Sequence, residues 1–283
     1  MAGIINQFKT IIFLSLLTAL LLFAGSLFGK GGLIVAFIFA IVINFGSYWF
    51  SDKIVLWIYR ARELKKNEHP EVHEIVREVA HKADIPMPRL YIVESAQPNA
   101  FATGRNEKNA VVAFTTGILT LLNKEELKGV IAHEISHVKN KDILITTIAA
   151  TIAGVISYLA NMAQWAMIFG GGRDDDNRAN MLSLILLMII TPIIAMLLQM
   201  AISRSREYLA DESGARILKN PKGLATALAK LHKGVQTTPM RKGDRATASL
   251  FILNPFSAKG VFTLLSTHPP VEERIKRLNE MKV

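Results

Sequence analysis

The chain has 283 residues, of which 51% are hydrophobic and 20% charged, with no cysteine and a net charge of +10. Without cysteine there is no disulfide scaffold and no thiolate metal site, so any bound transition metal must be held by His and carboxylate. The apolar residues are gathered into long blocks, which excludes a purely soluble globular chain; with no basic-aromatic motif, the positive charge points to membrane topology and anionic lipid rather than nucleic acid.

Residues 11–29 and 33–50 carry no charge, and each approaches or meets the length that spans about 30 Å of hydrocarbon. They predict a transmembrane hairpin over residues 1–50 with a turn at 30–32. The competing account of the first block is a cleaved signal peptide, because Lys9 precedes it and residues 24–26 are small. Residues 70–84 then read as an amphipathic helix with Val72, Ile75, Val76 and Val79 on one side, leaving His73 and His81 as surface residues. After Pro86 and Pro88, residues 90–93 and 110–114 are short β-prone runs separated by a loop over 94–109.

Residues 133–137 spell His-Glu-Ile-Ser-His, an H-E-x-x-H pattern inside a helical stretch, the context in which it becomes a zinc hydrolase site. Positions four apart on a helix lie about 40° apart around the axis, so both imidazoles can reach one ion. The helix start is marked by Asn123 with Glu126 three residues on, a capping box, and by Glu125 and Glu126 at the positive end of the dipole. Leu127, Val130, Ile131, Ile135 and Val138 form one apolar arc and Glu125, Lys128, Ala132, Ser136 and Lys139 the opposite face, with His133, Glu134 and His137 at an edge. Random placement gives such a pattern only about 0.01 times per chain of this composition. The bland alternative is a pH-sensitive pair of stacked histidines.

Two further apolar blocks, 143–169 and 181–202, are long enough to span; Pro192 would kink the second, a feature membrane helices tolerate. The alternative is a buried helical hairpin, since Ser157, Asn161 and Gln164 interrupt the third block. Segment 51–142 holds 14 Lys+Arg, and 203–283 holds 15 against 7 Asp+Glu, whereas the loop 170–180 contains the run Asp174, Asp175, Asp176. Positive charge marks the cytoplasmic side, so both large segments are expected in the cytoplasm and the acidic loop outside. The expected organisation is a hairpin at 1–50, a catalytic part at 51–142, a second apolar hairpin at 143–202 and a second catalytic part at 203–283. Within the last, Glu207 and Asp211 share a helix face; Glu207 is the candidate third ligand and Asp211 the acceptor for a free histidine N–H. A solvated helix pairing these acids with Arg204 and Arg206 is the alternative.

The motifs HEISH at 133–137, EYLAD at 207–211, NAFATG at 99–104 and STHP at 266–269 together resemble the HtpX family of membrane-bound zinc metallopeptidases, related to the CAAX prenyl endoproteases, and the resemblance covers nearly the whole chain. It implies a mainly helical α+β fold: a gluzincin-type protease domain carried by multi-pass transmembrane helices. It also implies one Zn²⁺ per chain on His133, His137 and Glu207, with Glu134 as catalytic base. By the same resemblance Asn99 and Phe101 lie beside the substrate cleft, and His268 supports the tetrahedral intermediate. From the residues alone, His268 before Pro269 and Pro270 could instead cap a last helix over 271–281.

The expected activity is endopeptidase cleavage of misfolded membrane proteins, with the substrate aligned along an exposed strand at 110–114 and membrane lipids as the surroundings. The loop 237–247, rich in charge, is expected to be mobile. Two other classes stay open. One is a non-proteolytic zinc-binding membrane scaffold, which would have no use for Glu134. The other is a site-2-type intramembrane protease, whose motif would sit within a span, whereas Glu125, Glu126, Lys128, Lys139 and Lys141 flank this one.

Overall fold

The computed structural model describes residues 29–149, 204–237, 250–253 and 269–283, with scattered residues between 8 and 26. Most of the third and fourth apolar blocks, the loop at 238–249 and His268 lie outside the described residues.

Helix α1 (Gly29–Ile58) is the one described helix long and apolar enough to cross a membrane. Its apolar side chains face outward, Val35 being 68% and Val42 61% exposed, a surface only lipid or protein can cover. The turn expected at 30–32 is instead the first turn of this helix, which also continues past the expected boundary at residue 50 through Asp52 and Lys53. The helical residues before it run back along it. Thr18 accepts a hydrogen bond from Asn44 Nδ2 at 2.6 Å, and Gly25 sits against Gly32 and Ala36, so the contacts move in antiparallel order.

The end of α1 enters the soluble part, where Val55 and Tyr59 pack with Val93, Phe101, Ala113 and Phe251. A four-stranded sheet follows, in the order β1 (Arg62–Glu63), β2 (Arg89–Val93), β4 (Val111–Thr115), β3 (Ala100–Thr103). β2 and β4 are parallel, and β3 runs antiparallel to β4 with Phe101 opposite Ala113. Side chains alternate across the sheet as the pleat requires. Leu90, Ile92, Ala100, Ala102, Val112 and Phe114 join the main core, while Val93, Phe101 and Ala113 face the cluster around Tyr59.

β3 is absent from the sequence-based expectation, which placed a loop there. An alanine-rich run has weak strand propensity, and all four residues are buried, so no alternation shows. Its end is set by Gly104, whose φ of +132° belongs to glycine and whose Cβ would come within 2.4 Å of Asn109 O. The strand expected to receive substrate, residues 110–114, is corrected as well: β4 is fully buried and paired on both sides. The strand edge left near the site belongs to β3, and part of it is taken by Ile252, whose N–H donates to Ala100 O at 3.1 Å.

Helix α2 (Pro70–Ala83) buries Val72, Ile75, Val76 and Val79 as its periodicity predicts. His81 is exposed, whereas His73 is half-buried with Nε2 2.9 Å from Leu64 O. After the short α3 (Thr116–Leu121) comes α4 (Lys124–Lys139), the H-E-x-x-H helix, with its capping box formed by Asn123 and Glu126. α4 is the centre of the domain. Of the face expected opposite the core, Ala132 and Ser136 are buried, with α5 (Arg204–Leu218) lying on Ala132, while Glu125 and Lys139 stay exposed as expected. Gly214 of α5 makes this possible: a Cβ there would stand 3.0 Å from Ala132 C and His133 N. α6 (Pro221–Thr237) crosses α4 at Gly129 and α7 (Val271–Glu280) closes the C-terminal side.

A Cβ on Gly129 would lie 2.6 Å from Leu224 N and 2.8 Å from its Cα, both backbone atoms that cannot swing aside. Gly129→Ala should therefore push α6 off α4 and cost about 1–3 kcal/mol. Thermal unfolding of the detergent-solubilised protein unchanged from wild type would contradict this crossing.

Candidate metal centre

Two elements deliver the ligand atoms. α4 stacks His133 and His137 one turn apart, their rings edge to face with centroids 4.7 Å apart. α5, held close by Gly214, points Glu207 at both. His133 Nε2 and His137 Nε2 are 3.1 Å apart, and Glu207 oxygens lie 3.8 Å from the first and 3.5 Å from the second. Donors about 2.0–2.1 Å from a tetrahedral zinc stand roughly 3.3 Å from one another, so this triangle has the size of three corners of such a site. The same three residues form the group of potential ligands found among the described residues, all donor atoms within 4.8 Å.

Each histidine has its second ring nitrogen fixed. Asp211, one turn beyond Glu207 on α5, places Oδ1 2.9 Å from His133 Nδ1. His137 has its own acid, Asp142, with oxygens 3.1 and 3.2 Å from Nδ1. Sequence reasoning missed Asp142 because it lies beyond the helix. α4 stops at Asn140, Lys141 adopts a left-handed φ of 58°, and the chain doubles back so that Asp142 N donates to His137 O. With both Nδ1 atoms directed at carboxylates, both Nε2 atoms are free for the ion.

Arg274 of α7 was also missed. It is fully buried; Nε and one terminal nitrogen donate to the two oxygens of Asp211 at 2.8 and 2.7 Å, and the other terminal nitrogen donates to Ile252 O at 3.1 Å. A signal for it was present: 274 falls on the stripe of Val271, Ile275 and Leu278, where an arginine breaks an otherwise apolar face. Buried charge of this kind is tolerated only when fully paired.

The electrostatics follow from burial. Desolvation pushes Glu134 up to about 7, with Glu207 adding to the effect, against the pull of His137, the Ala102 backbone and Arg274. Burial lowers His133. It also opposes charge on His137, but Asp142, Glu207 and Glu134 together outweigh it and raise that ring to about 10, so in the metal-free cluster a proton sits among the carboxylates. Burial raises Asp211, yet Arg274 and His133 hold it below the usual carboxylate range. Four acids, Glu134, Asp142, Glu207 and Asp211, face two fixed cations, Arg206 and Arg274, and a divalent cation would replace the protons that otherwise balance the cluster. The donor set therefore fits a zinc ion on chemistry as well as spacing.

His133, Glu134, His137, Asp142, Arg206 and Glu207 line one cleft, whose other walls are Ala102, Ile143, Thr146 and residues 250–252. Glu134, 2% exposed, stands beside the ligands without joining them, and its carboxylate accepts from the backbone of Ala102 on β3. Asn99 and Phe101 do not line the cleft. Asn99 is fully buried, its Nδ2 donating to Leu253 O at 2.8 Å and its Oδ1 accepting from Ala100 N. Phe101 packs on Tyr59 and Phe251. Both hold β3 and the 250–253 segment together at the cleft's rim.

Removing the two carboxylates should have different consequences. Asp142→Asn keeps the shape and should weaken metal affinity about 10–100-fold. Asp211→Ala strands a buried guanidinium and should also cost about 3–5 kcal/mol of stability. Metal-buffer titration and thermal unfolding of the two variants separate these effects; equal stability losses would contradict the assigned pairing with Arg274.

A family model described as Peptidase family M48 matches residues 66–282. Proteins named "Protease HtpX homolog" are similar over essentially the full length. That of Syntrophobacter fumaroxidans is 52% identical over 280 residues, covering 98% of this chain and 99% of its own; that of Syntrophotalea carbinolica is 54% identical over 281 residues, with 98% and 99% covered. The Pyrococcus furiosus protein of the same name is 52% identical over 274 residues, with 96% and 95% covered. Among solved structures, the crystal structure of S. mikatae Ste24p superposes with a TM-score of 0.54 at 18% identity, covering 98% of this chain and 66% of that one, a likeness of fold. Since the matched region runs from before α2 to the end of α7 and carries every element of the centre, the chain belongs to peptidase family M48, among its HtpX homologues, and is a metallopeptidase.

Proposed function

We propose that this metallopeptidase is a zinc-dependent endopeptidase of the membrane, with His133, His137 and Glu207 as ligands and Glu134 as general base. The observation that carries the reading is the convergence of three ligand atoms beside a desolvated, unligated carboxylate in an open cleft. A zinc ion there supplies Lewis-acid polarisation of the scissile carbonyl and acidification of water.

The rest is done by the chain. A Glu134 oxygen accepts the proton of the attacking water and returns it to the leaving nitrogen; burial keeps its basicity near neutrality, where a general base works best. Asp142 and Asp211 hold the two imidazoles in the tautomer that leaves Nε2 available. His268 is proposed, by resemblance alone, to hydrogen-bond the oxyanion. The non-proteolytic scaffold is disfavoured because a closed structural site gains nothing from an adjacent buried carboxylate, and charged residues at both ends of α4 argue against a motif inside the bilayer.

Four spans with both catalytic parts cytoplasmic, and a role in removing misfolded membrane proteins, complete the proposal. The charge bias and the lipid-type surface of α1 support the first. The second rests on the tethering of the cleft close to the bilayer, which raises the effective concentration of membrane-anchored substrates.

Purified full-length Glu134→Gln should lose casein or peptide hydrolysis while keeping about one zinc per chain, because a base is not a ligand. Glu207→Ala should lose the metal as well. Turnover by Glu134→Gln, or full zinc in Glu207→Ala, would reject these roles. For topology, reporter fusions after Ile58 and at the C-terminus should both report cytoplasm and a tag within 170–180 should be reached from outside. A protected tag with both fusions cytoplasmic would make the second pair of blocks a buried hairpin.

A further inference from the structure

One charged group in the cleft has no work in the mechanism. Arg206 lines the same cavity as Glu134, His137 and Glu207, and both terminal guanidinium nitrogens are buried without a hydrogen-bond acceptor among the described residues. Arginine stays cationic at any physiological pH and presents a planar fork of donors. Leaving such donors dry and unbonded is costly, which is why buried polar atoms are nearly always satisfied. Asp142 and Glu207 favour its charge through space against the cost of burial, but give its terminal nitrogens no hydrogen bond. Asp142 is engaged by His137 Nδ1 and Glu207 faces the two imidazoles, and neither makes an ion pair with Arg206. The contrast with Arg274 is direct, since that guanidinium, more deeply enclosed, is bonded on all sides.

We propose that Arg206 is a carboxylate-binding subsite of the peptide cleft, making the enzyme prefer substrates with an acidic group close to the scissile bond. The position of Arg206 next to the ligand Glu207 puts its fork beside the reacting centre, within reach of the few residues that flank the cleaved bond. A carboxylate matches the fork with two parallel hydrogen bonds. With a divalent ion bound, the cleft carries no surplus of negative charge to repel such a group. The acid can come from an Asp or Glu side chain or from a substrate's own C-terminus; the chemistry is the same and the position differs. This subsite rests on the peptidase reading of the cleft but adds selectivity that zinc and Glu134 alone do not provide.

The test uses the full-length zinc-loaded protein in neutral detergent and quenched peptides in which one Asp is moved across the three positions on each side of the cleaved bond. Each is paired with its Asn counterpart, and a further pair carries a free or amidated C-terminus near the bond. Wild type should cleave an acidic member with a kcat/KM roughly tenfold or more above its neutral partner, the scale of a desolvated charge pair. That ratio should collapse toward one in Arg206→Gln and survive largely in Arg206→Lys. A preference for internal Asp, or for the free C-terminus, identifies the source of the acid. Competition by uncleaved acidic and neutral peptides against wild type gives the same comparison if Arg206→Gln does not hold metal. No acid preference in wild type, or an unchanged ratio in metal-replete Arg206→Gln, overturns the subsite. So does a preference abolished by adding phosphatidylglycerol to the micelles, which would assign Arg206 to a lipid phosphate. Loss of cleavage of neutral and acidic peptides alike by wild type would instead count against the peptidase reading itself.

Discussion

The close approach of two helices at Gly214 is the constraint on which the centre depends. α4 can present two imidazoles, but three ligands require a second element within a few ångströms. Gly214, where a Cβ would stand 3.0 Å from the backbone of Ala132 and His133, lets α5 lie this close. From that contact the rest follows: Glu207 comes near both Nε2 atoms, Asp211 reaches His133 Nδ1 one turn later, and Ala132 and Ser136 on the polar-looking face of α4 become interior.

Packing the ligands this tightly creates an electrostatic problem that the remaining architecture solves. Burying several carboxylates is unfavourable unless cations and hydrogen bonds compensate. α7 contributes Arg274, locked to Asp211, so the C-terminal helix is fastened to the metal site by a buried ion pair as well as by Leu278 and its apolar neighbours. The same guanidinium grips Ile252 O, and Ile252 N–H pairs with β3. The wall of the cleft is thus tied at one residue to both the sheet and the metal cluster.

The membrane helix is joined to this assembly rather than tethered by a linker. α1 runs without a break to Val55 and ends just before Tyr59, and both residues belong to the cluster with Phe101 and Phe251 beside the cleft. Arg89 pairs with Asp52 at 2.9 Å, and Arg105 lies over the ring of Trp49. The cleft wall is therefore fixed relative to the end of α1 by packing, an ion pair and a cation–ring contact.

The sequence by itself determined the local features: the capped H-E-x-x-H helix, the amphipathic α2, the apolar α1 and the shared face of Glu207 and Asp211. All of these are written in residue type and spacing over one or two helical turns, where geometry is fixed by the backbone hydrogen bonds. Only the tertiary structure decided what depends on contacts between distant segments. β3 is a strand because β4 pairs with it, though its alanines carry little propensity of their own. Asp142 serves His137 because Lys141 turns the chain back, and Arg274 reaches Asp211 across 63 residues of sequence. Asn99 and Phe101 hold the rim instead of facing the cleft because Leu253 and Phe251 cover them. No periodicity encodes such pairings, since the energy that selects them, burial of apolar surface and mutual neutralisation of desolvated charge, exists only once the segments have met.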